Sequence, residues 1–259
     1  MQRQIVAIAG VELELFESGE GAPILFLHNG GGFDPDRPFV RLLSARHRLI
    51  APSHPGFGRS SLPDWLDSCD DIAYIHLALM DQLGLRQADV IGCSIGGWIA
   101  AELATKSPER VRKLVLVAAE GVKVGPPDRL DIPDIYAMPA DELERISYHD
   151  PEQMQVNPAR LSDEELAIRV RNRETTALLV WEPYMHNPKL RHRLHRVHMP
   201  VLFMRGESDG LVSADYLAKY AKLVPNARIE TIAAAGHSPQ LEQPETFVAR
   251  VVAFFEQGA

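Results

Sequence analysis

The sequence predicts an α/β fold, in which a mostly parallel sheet has flanking helices and carries a helical lid inserted after the sixth strand. Three observations predict it. Short, continuous apolar runs, which suit strands buried on both faces of a parallel sheet, alternate with helical patterns of apolar residues. The alternation stops near residue 125, and it resumes near residue 192. We therefore expect residues 1–124 and 192–259 to form one core and residues 125–191 to form the lid.

The first half of the chain is expected to contribute six strands. Residues 4–9 and 11–16 alternate in polarity around Gly10, which predicts an antiparallel hairpin at the edge of the sheet. Four apolar runs predict buried strands at residues 24–27, 48–51, 88–91 and 114–117. Apolar residues at three- and four-residue spacing predict helices over residues 70–83 and 95–106.

The lid segment differs from the rest of the chain in composition. Between residues 125 and 185 it holds 13 acidic residues, six arginines and no lysine, so it carries −7 of the net charge of −8. Helical patterns cover residues 141–146 and 162–179. After the lid, strands are expected at residues 201–204 and 229–233, and helices at residues 214–223 and 246–255.

The composition excludes several classes of protein. With 27 basic against 35 acidic residues, the chain has the wrong sign of charge to neutralise phosphates, so nucleic acid is not an expected partner. Its two cysteines, Cys69 and Cys93, are too few for a disulfide scaffold or a thiolate zinc site, and Cys93 is expected in the core. No signal peptide is recognised and no apolar run approaches a membrane span, so we expect a cytoplasmic location without membrane attachment.

The strongest candidate for chemistry is the run Gly-Cys-Ser-Ile-Gly at residues 92–96, which matches the pattern G-x-S-x-G. The run follows a strand and opens a helix, and so tight a turn requires small neighbours because its serine has a strained backbone. Ser94 is therefore the candidate nucleophile, at the carboxyl end of a strand, where open α/β sheets bind ligands. A serine that only caps the helix is the alternative interpretation.

A serine hydroxyl needs a base to act as a nucleophile, and the base needs a carboxylate to orient it. His237 directly follows the last predicted strand and is the candidate base, with a purely structural histidine as the alternative. Asp209 follows the strand before it and is the candidate acid, with Glu207 and Glu120 as alternatives. These side chains are expected at one edge of the sheet, because the carboxyl ends of parallel strands meet there.

The pattern resembles the α/β-hydrolase fold family, and in particular its lid-bearing serine esterases. The stretches that carry the resemblance are residues 27–32, 52–60, 92–97, 206–209 and 236–237. The resemblance implies the fold predicted above and a triad in the chain order Ser94, Asp209, His237. It also implies that the N–H groups of Ile95 and Gly30 bind the oxyanion, and that neither a metal nor an organic cofactor takes part.

The substrate pocket is expected on both sides of the nucleophile. The candidates are His28, Asn29, Phe33, Trp181, Tyr184 and Met185. Asn29 stands where the family usually has Gly, and we expect the loop to keep its shape because Asn tolerates positive φ well. Two further aromatic residues, Tyr136 and Tyr148, are expected to lie either in the lid core or along the pocket.

The histidines at positions 186, 192, 195 and 198 raise the question of a metal site. Four basic residues are interleaved with them and no acidic residue joins the run. Because cations repel a metal ion, we expect a solvated basic segment here and no metal.

The resemblance implies hydrolysis of a small, partly hydrophobic carboxylic ester through an acyl-enzyme. The first alternative is a carbon–carbon bond hydrolase of the ring-cleavage type, which usually carries Trp where this chain has Ser238 and whose anionic substrates fit an acidic lid poorly. A ligand-binding receptor or an inactive relative is the alternative of another class, and acyl transfer to an acceptor other than water also stays open. A small molecule is the expected partner, and a homodimer is compatible with the sequence.

Overall fold

The computed structural model describes residues 1–258. Eight strands within these residues form one sheet. The strands are β1 (Gln2–Ile8), β2 (Val11–Ser18), β3 (Pro23–Leu27), β4 (Arg48–Pro52), β5 (Ala88–Cys93), β6 (Val111–Val117), β7 (Val201–Gly206) and β8 (Ala227–Ile232). Their order across the sheet is β1-β2-β4-β3-β5-β6-β7-β8. The pairs β1–β2 and β2–β4 are antiparallel and the other five are parallel, so the predicted fold class and the edge hairpin are confirmed.

The described residues contain nine α-helices. They are α1 (Pro38–Ser44), α2 (Cys69–Gln82), α3 (Ile95–Lys106), α4 (Ala140–Ser147), α5 (Pro151–Met154), α6 (Asp163–Val180), α7 (Ala214–Ala221), α8 (Pro239–Glu242) and α9 (Pro244–Glu256). Of these, α4, α5 and α6 lie in the segment between β6 and β7. Short 3-10 turns cover Pro108–Arg110, Pro158–Arg160, Leu190–His192 and Leu194–Arg196. None of the helices in residues 1–258 is long and apolar enough to cross a membrane.

The continuous apolar runs of the central strands arise because both faces of the sheet are covered. On β5, Val90 belongs to the core under α2, α3 and α7, whereas its neighbour Ile91 belongs to the core under α1 and α9. Both side chains are fully buried. Successive side chains of a strand point to opposite faces, so a strand covered on both sides must be apolar at every position.

The segment between β6 and β7, residues 118–200, carries α4, α5 and α6, and we call it the insertion. Helix α6 begins at a capping box, in which the Ser162 side chain accepts from the N–H of Glu165 and Glu165 accepts from the N–H of Ser162. The side of α6 that faces the rest of the protein buries Asn172, Thr175, Leu179 and Val180. The division into core and lid at residues 125 and 191 stays a prediction.

A chain of three buried histidines lies behind the strand ends. His28 follows β3, His54 follows β4 and His76 lies in α2. The Nδ1 of His54 pairs with the Nε2 of His76 at 2.8 Å, and the backbone N–H of His54 donates to the Nε2 of His28 at 2.9 Å. Burial lowers the pKa of His28 to about 4 and that of His76 to about 3, and it holds the pKa of His54 well below its usual range. These imidazoles are therefore neutral in the folded protein at neutral pH.

The protein is expected to lose stability as the pH falls below about 6.5. The pKa values of His28 and His76 in the folded protein lie below the ordinary value of histidine, so on acidification these histidines are protonated first in the unfolded chain. Their contribution to the free energy of unfolding is therefore complete above pH 6.5 and is lost as the pH falls toward the folded-state pKa values. His28 and His76 each account for about 2 kcal/mol of lost free energy of unfolding between pH 7.5 and pH 5. Urea unfolding at pH 7.5 and 5.0 measures the loss.

Substitution of His76 isolates its share of this effect. The variant His76→Gln is expected to lose about 2 kcal/mol less than wild type between the two pH values. The control, His195→Gln, alters an exposed histidine and is expected to behave as wild type. An equal acid sensitivity in wild type and His76→Gln would contradict this account of the buried histidines.

Candidate active site

Ser94 lies at the turn between β5 and α3 and has a strained backbone, with φ 54° and ψ −122°. A Cβ on Gly92 would collide with the carbonyl oxygen of Gly96, and a Cβ on Gly96 would collide with the backbone at Leu27. The turn therefore requires glycine at both positions. Although Ser94 precedes the first residue of α3, its side chain makes no capping hydrogen bond. Its hydroxyl instead lies beside other polar groups in a cavity, which argues against the capping interpretation.

The structure brings Ser94, His237 and Asp209 together. The Oγ of Ser94 lies 3.0 Å from the Nε2 of His237, and the Nδ1 of His237 lies 3.2 Å from both carboxylate oxygens of Asp209. His237 is on the loop between β8 and α8, and Asp209 is on the loop after β7. The three loops meet because β5, β7 and β8 run parallel and end at the same edge of the sheet.

The Asp209 carboxylate is held in place by backbone donors. Its Oδ1 accepts from the N–H groups of Leu211 and Val212, each at 2.9 Å. The guanidinium of Arg205 donates to the carbonyl oxygens of Asp209 and Val212, which fixes the same loop. Burial lowers the pKa of His237, but the carboxylates of Asp209 and Glu120 outweigh it and hold this pKa above its ordinary value.

Neither alternative acid, Glu207 or Glu120, contacts the Nδ1 of His237. Glu207 is exposed. Glu120 is buried, and its Oε1 accepts from the Oγ of Ser94 at 3.1 Å and lies 3.9 Å from the Nε2 of His237. It therefore lies on the nucleophile side of the imidazole, whereas Asp209 lies on the opposite side. Burial raises the pKa of Glu120, although nearby His237 and the hydrogen bond from Ser94 partly offset this.

The two predicted oxyanion donors face the same cavity as Ser94, since Gly30 and Ile95 both line it. Among the described residues, neither of their N–H groups donates to a protein acceptor. Residues 29–32 form a loop that we call the glycine loop. Asn29 fixes it: the side-chain oxygen of Asn29 accepts from the N–H of Gly31 at 3.0 Å, and its carbonyl oxygen accepts from the N–H of Gly32. Asn29 does not have the positive φ that would favour Gly there; in this loop Gly32 has it, at 93°.

The cavity above Ser94 has a volume of about 550 Å³. Most of its wall comes from the glycine loop, the loop of His237, and α4 and α6 of the insertion. The apolar part of the lining includes Phe33, Ile135, Leu143, Met154, Ile168 and Met185. The volume is in the range of a small-molecule site.

Of the predicted pocket residues, four line this cavity: His28, Asn29, Phe33 and Met185. The structure corrects the placement of the other two. Trp181 is 59% exposed and borders a separate cavity of about 620 Å³. The hydroxyl of Tyr184 donates to the carbonyl of Pro133 and so packs within the insertion. The chain turns between these residues: Met185 has φ 55°, and its N–H donates to the carbonyl oxygen of Val180. This turn directs Met185 into the cavity and leaves Trp181 outside.

The remaining sequence candidates also have definite places. Tyr148 lines the cavity, whereas Tyr136 packs against Trp181 and does not. Cys93 is buried, and burial raises the pKa of its thiol, which makes it a poor nucleophile. In the part of the chain that the structure describes, no three His, Cys, Asp or Glu side chains are grouped so as to hold a metal ion.

Sequence reasoning missed Asn172, which ties the insertion to the glycine loop. Its Nδ2 donates to the carbonyl of Gly31 and its Oδ1 accepts from the N–H of Gly58, both at 2.9 Å. The hydroxyl of Thr175 donates to the carbonyl of Gly56 beside it. The available signal was a polar residue within a predicted helix, but the pattern cannot show what that residue binds. Helix α6 thus fixes the backbone that carries the Gly30 N–H.

Substituting Asn172 with Ala is expected to lower kcat/KM for an ester about tenfold. Two hydrogen bonds are lost, and the Gly30 donor is no longer held at its place in the cavity. The free energy of unfolding is expected to fall by about 1–3 kcal/mol, since buried polar groups lose their partners. Initial rates and urea unfolding measure the two effects.

The matched control is Asn157→Ala, which changes an exposed asparagine of the same insertion. This variant is expected to keep wild-type kcat/KM. A loss of stability in Asn172→Ala without any loss of kcat/KM would show that the residue does not position the loop for catalysis.

Comparison with known proteins places this geometry in a family. The family described as alpha/beta hydrolase fold matches residues 22–244. A 2-hydroxymuconate semialdehyde hydrolase from Pseudomonas putida is 29% identical over 98% of this chain and 93% of its own. A pimeloyl-[acyl-carrier protein] methyl ester esterase from Nitrosomonas europaea is 29% identical over 93% of this chain and 98% of its own. A solved serine hydrolase involved in carbazole degradation superposes with a TM-score of 0.81 at 19% identity, covering 98% of each chain.

Proposed function

This chain belongs to the alpha/beta hydrolase fold family, and we propose that it hydrolyses small, partly hydrophobic carboxylic esters through an acyl-enzyme on Ser94. One observation carries the proposal: hydrogen bonds connect Ser94 through His237 to Asp209 at a cavity whose lining includes apolar side chains such as Ile168 and Met185. A serine activated in this way attacks carbonyl carbon.

In the proposed reaction, the Oγ of Ser94 attacks the ester carbonyl while the Nε2 of His237 takes its proton. Asp209 keeps the imidazole oriented and stabilises its charged form. The N–H groups of Gly30 and Ile95 bind the oxyanion, each contributing about 2.7–4 kcal/mol to the transition state. His237 then gives its proton to the alcohol oxygen, the C–O bond breaks, and water repeats the sequence on the acyl-enzyme to release the acid.

The second candidate is hydrolysis of a carbon–carbon bond. It is favoured by the relative named for 2-hydroxymuconate semialdehyde hydrolysis and by Arg169, a cavity residue with no acidic partner within 4 Å among residues 1–258. Such a cation suits an anionic substrate. Two features favour the ester instead: Ser238 follows His237, and the carboxyl group of Glu120 contacts the nucleophile and disfavours an anion beside it.

A panel of substrates separates the candidates. We expect p-nitrophenyl esters of two to eight carbons to be hydrolysed, with kcat/KM at least 100-fold above that for 2-hydroxymuconate semialdehyde. The reverse preference would replace the ester proposal by the carbon–carbon candidate. Turnover of neither substrate above the rate of Ser94→Ala, by folded protein, would favour a ligand-binding protein.

A further inference from the structure

Among residues 1–258, the carboxyl group of Glu120 is the one acidic group that hydrogen-bonds to Ser94, and the proposed ester mechanism does not use it. The residue is 4% exposed, and its side chain points into the cavity beside the nucleophile. Its only hydrogen bond within the described residues comes from the hydroxyl of Ser94. A buried carboxyl held by one movable donor has capacity for another.

The backbone around Glu120 is fixed on both sides. Ala118 has φ 45°, an uncommon value for a residue with a side chain, and its N–H donates to the carbonyl of Met204. Gly121 has φ 103° and its N–H donates to the carbonyl of Met185. Strain of this kind persists where surrounding contacts impose it, and here it directs the Glu120 side chain into the cavity.

The position of this carboxyl coincides with the place where a leaving group departs. The Oε1 of Glu120 and the Nε2 of His237 are 3.9 Å apart, so a single atom can lie about 2.9 Å from both. The Oγ of Ser94 is 3.1 Å from the Oε1 of Glu120 and 3.0 Å from the Nε2 of His237, so such an atom can also lie beside the nucleophile. In acyl transfer, this is the leaving atom to which His237 gives its proton.

An ester oxygen has no hydrogen to donate at that point, whereas the nitrogen of a secondary amide has one. An N–H that enters a cavity and finds no acceptor destabilises the bound state, because its hydrogen bond to water is lost. We propose that Glu120 accepts the N–H of the leaving nitrogen, and that the same site therefore hydrolyses secondary amides as well as esters. The inference rests on the ester hydrolase proposed above.

Amide hydrolysis at this site follows the same two stages as ester hydrolysis. The Oγ of Ser94 bonds to the amide carbon and its proton passes to the Nε2 of His237. His237 returns the proton to the nitrogen, the C–N bond breaks, and the amine leaves while its original N–H is bonded to Glu120. Water then hydrolyses the acyl-enzyme, so the products are one carboxylic acid and one amine. The carboxyl of Glu120 accepts in either protonation state, because a neutral carboxyl keeps its carbonyl oxygen.

The test uses two substrates that share an acyl group, p-nitrophenyl butyrate and butyryl p-nitroanilide. The quantity measured is the ratio of kcat/KM for the anilide to kcat/KM for the ester. Because kcat/KM covers only the steps through acylation, a role of Glu120 toward the second water does not affect it. Dividing by the ester value also cancels any general damage to Ser94 or His237.

In Glu120→Met, which keeps the length of the side chain and removes the acceptor, the ratio is expected to fall tenfold or more. In Glu120→Gln it is expected to fall about threefold, since an amide oxygen is a weaker acceptor than a carboxylate. If Glu120→Met does not fold, Glu120→Gln carries the test alone. An unchanged ratio in the folded variants would overturn the proposal.

The proposal and the function beneath it fail differently. Wild-type protein that hydrolyses the ester but not the anilide above the rate of Ser94→Ala would overturn the role of Glu120 and leave the esterase intact. Wild-type protein that hydrolyses neither substrate would overturn both.

Discussion

Replacing Ser94 with Ala is expected to lower kcat for p-nitrophenyl butyrate by about 10⁵–10⁶-fold. The variant loses the hydroxyl that lies 3.0 Å from the Nε2 of His237 in the same cavity as Gly30 and Ile95. What we expect to survive is catalysis by binding and the backbone N–H groups alone, which is about 10³–10⁴-fold over water in subtilisin without its triad. Steady-state rates at saturating ester measure the loss.

The control for this variant is Ser107→Ala, at the far end of the same helix from Ser94. It is expected to retain wild-type kcat. Thermal unfolding of both variants checks that α3 is intact. A fall of only tenfold in Ser94→Ala would mean that another group, and not Ser94, attacks the substrate.

Replacing Asp209 with Asn is expected to lower kcat by about 10⁴-fold. An amide in this place no longer stabilises the imidazolium and can turn its NH₂ toward the ring, which stabilises the wrong tautomer of His237. The acid limb of the pH–rate profile is expected to move to lower pH. Asp209 raises the pKa of His237, so without it the imidazole stays neutral to a lower pH.

The isosteric variant Glu120→Gln serves as the comparison, because Glu120 is the alternative acid that lies beside the nucleophile, whereas Glu207 is exposed. It is expected to lower kcat for the ester by less than tenfold, since its carboxyl lies on the Nε2 side of the ring. A larger loss in Glu120→Gln than in Asp209→Asn would assign the orienting role to Glu120 and contradict the geometry.

The sequence alone was sufficient to predict the sheet because its central strands are buried on both faces. Their apolar runs are continuous and separable from the helical patterns, as at Val90 and Ile91. Helix α1 was missed because it is only seven residues long and has no capping side chain, so its three buried positions, Phe39, Val40 and Leu43, are too few to establish a helical period.

The candidate triad was predictable for a similar reason. Ser94, Asp209 and His237 each lie in the segment that follows a strand, and parallel strands bring their carboxyl ends to one edge. What depends on the course of the insertion could not be predicted. Trp181 and Met185 are four residues apart, yet the intervening turn directs only Met185 into the cavity. The hydropathy pattern of these residues carries no information about such a turn. The contacts of Asn172 could not be predicted either, because its partners, Gly31 and Gly58, are more than 100 residues away in the sequence.

The central claim is that Ser94 is an activated nucleophile. The most direct measurement is intact mass after incubation with a fluorophosphonate, which bonds covalently to such serines. We expect wild-type protein to gain the mass of one adduct, Ser94→Ala to gain none, and His237→Ala to react far more slowly. A full adduct on Ser94→Ala, or none on folded wild type with either a large or a small fluorophosphonate, would contradict the claim.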